Sequence, residues 1–244
     1  MLSMSRQGRD VSVESSFLGA YWGGRVESSA EIAERLASCL AGMAGLHPAL
    51  RTWFQRGGSR KSAKTPIDVS EASLTALLER GRNRDDDGAI IEDLGFSFGA
   101  WNGTRPAIGL SLTAGADPST PSVLNSFVLN LPELDASSAG LYSLDVGQAL
   151  MKAVVEAWAP SWATWATHEL HVAQSPAPRE PAIGWLTYLQ RASDAPALGF
   201  GERVGEGVLF ASANSIADVD AADVVELRAR LRALGMLAPI PFVR

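Results

Sequence analysis

The segment LGFSFGAWNGTRPAIGLSL, Leu94 to Leu112, decides the fold class. Its apolar side chains fall two residues apart. Leu94, Phe96 and Phe98 alternate with Gly95, Ser97 and Gly99, and after the turn-forming Asn102-Gly103 pair the alternation resumes at Ile108, Leu110 and Leu112. A period of two sends one row of each strand toward a core and leaves the other row for solvent, the pattern of a hairpin. Phe127, Leu129 and Leu131 repeat it. Three strands separated by turns rather than helices predict an antiparallel meander.

Outward from this meander the period becomes helical. Ser28-Ser29-Ala30-Glu31 reads as a capping box, and behind it Ile32, Leu36, Cys39, Leu40 and Met43 share one face. A second helix is expected from a Ser70 cap to Arg80, stopped by Gly81, and a third from Asp145, with Val146, Leu150, Val154 and Trp158 on its buried stripe and Pro160 ending it. A last helix carries Val224, Leu227, Leu231 and Leu234, closed by Gly235. Further strands are expected at Phe17 to Tyr21, Trp162 to Leu170, Gly184 to Leu189 and Gly207 to Ser212. His47 to Arg56 reads as a short amphipathic piece. After it GGSRKSAKTP carries Arg60, Lys61 and Lys64, which together with Arg56 could meet an acidic group but read first as a solvated loop. The sum is an α+β fold, a mainly antiparallel sheet with helices packed against it. Residues 1–15 are expected to be a flexible N-terminal segment and residues 16–244 one domain.

Composition narrows the function. The chain has 244 residues, 46% hydrophobic and 20% charged, and a net charge of −6. That balance suits a globular protein and argues against direct nucleic-acid binding, which needs a basic stripe to replace counterions on phosphates. Cys39 is the sole cysteine, so no intrachain disulfide forms and zinc sites built on several thiolates are excluded. No apolar h-region opens the chain and no apolar run reaches membrane-spanning length, so the expectation is a cytoplasmic protein without membrane contact.

Two functional motifs overlap between Asn83 and Gly99. Asn83, Asp85, Asp87 and Gly88 keep the spacing of an EF-hand loop, but its twelfth position is Leu94, which has no oxygens to complete a calcium shell. Gly95-Phe96-Ser97-Phe98-Gly99 fits G-x-S-x-G, and Ser97, Asp145 and His168 stand in the chain order of a hydrolase triad. Yet Ser97 lies inside an alternating strand, and Gly99, Asn102-Gly103 and Pro106 deny it the helix that a nucleophile elbow requires. His168 and His171, three apart in a predicted strand, would point to opposite faces, as would the adjacent Glu92 and Asp93. No P-loop, dinucleotide fingerprint or HExxH is present. The residues therefore favour a protein that is not an enzyme and needs no cofactor or metal.

Four segments, AYWGGRVESSAEIAERL (Ala20 to Leu36), GRNRDDDGAIIEDLGFSFGAWNG (Gly81 to Gly103), VEAWAPSWAT (Val155 to Thr164) and GWLTYL (Gly184 to Leu189), together resemble the immunity protein 52 family. The likeness extends from about Ala20 to the C-terminal helix. It departs after Trp158, where family members often carry an acidic residue and this chain has Ala159. The resemblance implies an α+β protein that binds and blocks a cognate antibacterial toxin, commonly a type VI secretion effector; some members are encoded beside toxins with a restriction-endonuclease-like nuclease domain. It implies no transferable binding residues. From charge, Asp85, Asp86, Asp87, Glu92 and Asp93 are the expected contacts to a basic toxin, since opposite fields speed association. Trp22, beside Gly23-Gly24, is the expected aromatic anchor, while Trp101, Trp158, Trp162 and Trp185 are expected to pack on the core. The alternative function is a serine hydrolase using Ser97 and His168. Oligomeric state is left open.

Overall fold

The computed structural model describes residues 15–56, 62–120, 123–174, 176–190 and 201–240. In chain order these form β1 (Ser16–Trp22), α1 (Ser29–Ala44), β2 (Phe54–Gln55), α2 (Glu71–Arg80), β3 (Phe96–Trp101), β4 (Gly109–Ala114), β5 (Asn125–Leu131), α3 (Leu144–Trp158), β6 (Trp162–Thr167), α4 (His168–Gln174), β7 (Leu186–Leu189), β8 (Glu202–Val204), β9 (Gly207–Ala211) and α5 (Ala221–Ala233). The strands make one sheet in the order β2-β3-β4-β5-β1-β6-β7-β9-β8, with every pair antiparallel. The fold is α+β.

The meander β3-β4-β5 has the register its alternation requires: Phe98 opposes Leu112, which opposes Phe127, and all three are buried. The unexpected element is the placement of β1. It inserts between β5 and β6, pairing Leu18 with both Leu129 and Trp165, so the first strand in sequence joins the two halves of the sheet.

Helices cover the sheet unequally. One face is packed along its length: Leu36 of α1, Leu74 of α2 and Leu150 of α3 share a core with Leu18, Leu112, Phe127 and Trp165. On the other face α4, α5 and the segment to Ile240 cover only the β6-β7-β9 half, where Leu170, Val224 and Leu231 meet Trp162, Leu189 and Phe210. Over β2-β3-β4-β5 that second face has no helix among the described residues. Solvating one face is normal for an antiparallel sheet.

The capping box of α1 is complete: the Ser28 hydroxyl accepts from the Glu31 N–H and the Glu31 carboxylate accepts from the Ser28 N–H. Ser70 does precede α2, but its hydroxyl donates to Asp68 instead of capping. Gly81 ends α2 with φ −87°, outside the left-handed region; it is glycine because a Cβ there would lie 1.9 Å from the Ser97 carbonyl oxygen.

Several expectations are corrected. Trp162 to Leu170 is not one strand: β6 stops at Thr167 and α4 begins at His168, with the Thr167 hydroxyl accepting from the Leu170 N–H as an N-cap does. Leu94 belongs to a 3-10 turn over Glu92–Leu94, and the strand starts at Phe96. The piece from His47 to Arg56 divides into a 3-10 turn at Pro48–Leu50 and the edge strand β2. On α5 the buried stripe is Val224, Arg228 and Leu231, while Leu234 lies past the helix end and is 47% exposed. Arg60 and Lys61 of the basic loop lie outside the described residues.

Candidate partner-binding site

The acidic run closes into a small hairpin between α2 and β3. Asp85 N–H bonds to the Ala89 carbonyl and Ile91 N–H to the Asn83 carbonyl, both at 2.9 Å, and Gly88 turns the tip at φ +86°. Asp85 builds this turn: its Oδ1 accepts from the N–H groups of Asp87 (3.1 Å) and Ala89 (2.8 Å). Asp86 and Asp87 project from the tip, exposed and without an ion pair among the described residues. The spacing that mimics a calcium loop thus serves turn geometry. The Asn83 amide donates to the Leu94 carbonyl, and no group of three or more His, Cys, Asp or Glu among the described residues is arranged to hold a metal ion.

Glu92 and Asp93 sit on the next 3-10 turn, so the strand argument that would point them apart does not apply. With Glu79, Asp117 and Arg82 they line a cleft of about 430 Å³, at whose mouth stands Val26, 68% exposed. Arg82 is its principal cation; it bonds the Glu92 carboxylate, lies 3.8 Å from Glu79, and stacks its guanidinium 5.1 Å from the centre of the Phe96 ring. The Asp117 carboxyl is held below the usual range by the Ser119 hydroxyl and N–H. Carboxylates outnumber cations here, so the field is negative and would draw a basic surface.

Trp22 does not present an anchor. It is 3% exposed, stacked at 5.4 Å on Trp158, with the Arg25 guanidinium 5.5 Å over its ring. The reason is the pleat of β1: Trp22 continues the row of Leu18 and Ala20 that faces the helix-packed core. Just beyond Trp22 the chain makes a charged joint. Glu27, 8% exposed, bridges Arg25 Nε at 2.9 Å and Arg35 Nε at 2.8 Å. The two guanidiniums donate in turn to the carbonyls of Trp158 and Ala157 at the C-terminus of α3. That helix has no basic residue in its own last turn, so these arginines neutralise its negative end.

The hydrolase pair does not assemble. Ser97 on β3 and Trp162 on β6 share one row of the sheet through Thr113, Ser126 and Tyr21, four interstrand spacings or about 19 Å apart, and His168 lies six residues beyond Trp162. His168 and His171 share one helix, three residues apart, and not opposite faces of a strand. His171 packs edge-on to Phe17 at 6.0 Å, and burial, with the charges of His168 and Arg228, lowers its pKa. Among the other tryptophans, Trp158, Trp162 and Trp185 are buried as expected, whereas Trp101 is half-exposed at the open face.

Sequence reasoning missed the Arg25–Glu27–Arg35 joint and a second cluster, Glu180 with Arg228 and Arg232. A capping Thr167 ahead of Glu169 was the available signal for α4. Nothing in the sequence pairs Glu180 with an arginine 48 positions away.

The profile of a protein family described as "Immunity protein 52" matches residues 14–205. No curated protein matches the chain. Among solved structures the chain is similar to the Pseudomonas aeruginosa T6SS protein PA0821, with TM-score 0.54 and 14% identity, over 93% of this chain and 73% of that one. At that identity the likeness is one of fold.

Proposed function

The chain belongs to the immunity protein 52 family, and from that membership we propose that it binds a cognate antibacterial toxin and neutralises it without catalysis. The match over residues 14–205 carries this reading. The finer proposal concerns the toxin: a type VI secretion effector with a basic, restriction-endonuclease-like nuclease domain. Its support is electrostatic. The chain has a net charge of −6, Asp86 and Asp87 are exposed at the hairpin tip, and exposed Asp93 lines the cleft. Asp85 shapes the hairpin, and Glu92 is shared with Arg82. A surface of this sign steers a basic partner into contact and can occupy positions where the toxin would hold phosphates.

The test is co-expression with the toxin encoded beside its gene. Growth should be rescued, and the two proteins should co-purify. Replacing Asp85, Asp86 and Asp87 by Ala together should slow association by about tenfold and flatten its salt dependence. Unchanged rate and salt slope would remove the acidic hairpin from the interface. Ser97→Ala should protect as well as the parent chain. We propose further that the toxin is met in the cytoplasm; among the described residues no helix is long and apolar enough to cross a membrane.

A further inference from the structure

The half of the sheet face that no helix covers among the described residues differs in charge from the chain as a whole. Its outward rows run Phe54, Trp101, Gly109, Asn130 and, next to it, Arg56, Gly99, Ser111, Val128. These residues include no carboxylate, in a chain with 27 acidic residues against 21 basic. Arg56 lies flat on this face. A Cβ at Gly99 would touch its Cδ at 3.2 Å, and one at Gly109 would be 3.6 Å from Nη2, so the two glycines form the floor that the side chain occupies. Its Nη1 donates to the Ser111 hydroxyl at 3.2 Å, and it has no ion pair among the described residues. A guanidinium already ordered this way loses little entropy on meeting a carboxylate and keeps its fork available.

Beside it is an apolar slot of about 450 Å³ lined by Phe54, Trp101, Gly103, Ala63 and Lys64. The Phe54 and Trp101 rings are 6.1 Å apart, and Trp101 is fixed by its indole N–H to the Ala63 carbonyl at 2.9 Å. Arg56 follows Phe54 by two residues and bonds the backbone of Gly99, which precedes Trp101 by two, so at the backbone the slot and Arg56 are about 7 Å apart. Side chains i and i+2 of an extended peptide have the same spacing and point to the same side.

We infer that this open face docks an extended segment of the partner protein in which a carboxylate is followed two residues later by an aromatic side chain. The carboxylate meets Arg56, with Lys64 adding attraction at the rim, and the ring enters the Phe54–Trp101 slot. This rests on the reading that the chain works by binding a toxin, and it gives that toxin a second, acidic contact distinct from the one at the acidic hairpin.

The experiment has two arms. In the first, the chain is titrated with N-acetyl-Asp-Ala-Phe-amide and with its Lys-Ala-Phe counterpart, following the Trp101 indole N–H by NMR. The acidic peptide should shift that signal saturably, and Arg56→Glu should abolish the shift. Equal responses to both peptides, or none, overturn the site. In the second, Arg56→Glu and Trp101→Ala are measured against the neighbouring-gene toxin, each with melting curves; loss of about 30-fold in affinity is expected of Arg56→Glu, the scale of one desolvated charge contact. A complex that forms with undiminished affinity for both variants overturns the docking role while leaving toxin binding intact. Peptide binding without any toxin complex instead keeps the site and overturns the immunity reading.

Discussion

Glu180 is 8% exposed and holds two guanidiniums: Arg228, 4% exposed, at 2.7 Å and Arg232 at 2.6 Å. Burial by itself would raise its pKa, but the Arg232 and Ala177 hydrogen bonds and the two arginine charges outweigh that and hold the carboxyl below its ordinary value. This depression sets the sign of the pH dependence. A depressed carboxylate contributes stability that is complete above the unfolded pKa of about 4.3 and is lost as pH falls through the lower folded value. Glu180→Gln leaves Arg228 buried without its counter-charge. It should cost about 3–5 kcal/mol by urea denaturation at pH 7, with a smaller loss of stability between neutral and acid pH than the parent shows. Ala159, the exposed left-handed residue after α3 at φ 44°, predicts the opposite sign. Ala159→Gly should raise stability by about 0.5–1 kcal/mol, because relief of the Cβ clash exceeds the added chain entropy. Cys39 is 1% exposed, and burial pushes its thiol up to about 12. Thiol reagents in excess should modify it only at the rate of unfolding, with half-times that match the unfolding rate measured independently and do not shorten with more reagent.

At the scale of elements, α3 is held at its C-terminus by groups from elsewhere in the chain. Arg25 and Arg35 reach its last carbonyls because Glu27 fixes both guanidiniums, while Trp22 stacks on Trp158 beneath them. Glu27→Ala should therefore cost about 1.5–3 kcal/mol, the range for charged hydrogen-bond networks, and combining it with Arg25→Ala should cost less than the sum of the two. Additive losses would mean that the residues act independently. The same scale explains α4. β6 was legible as a strand through its tryptophans, but its end was not, because Thr, His and Val suit either state and only the capping contact of Thr167 decides.

For the whole molecule, β1 is the link between the halves. From its pairing with β5 on one side and β6 on the other we expect the two halves of the sheet to unfold as one cooperative unit. Far-UV circular dichroism and tryptophan fluorescence should then report coincident urea transitions; separated midpoints would divide the chain into two folding units. The unequal helix cover leaves a sheet face whose described outward strand residues carry no carboxylate and which bears Arg56, while the hairpin between α2 and β3 supplies a separate acidic surface.

The range of the forces decided how much of this was legible. Local periodicity and capping chemistry revealed the meander, α1 and α3, and the misfit of the calcium-loop and hydrolase motifs, since Leu94 and the alternation around Ser97 are properties of neighbouring residues. Charge composition pointed to the acidic hairpin. The central seat of β1, the burial of Trp22 and Arg228, the salt bridges of Glu27 and Glu180, and the bare floor under Arg56 were decided only by tertiary structure. Each depends on which segments distant in sequence come to lie side by side, and the free energy that selects those neighbours, burial of apolar surface with pairing of the charges it covers, is shared by the whole fold and not written into any one stretch.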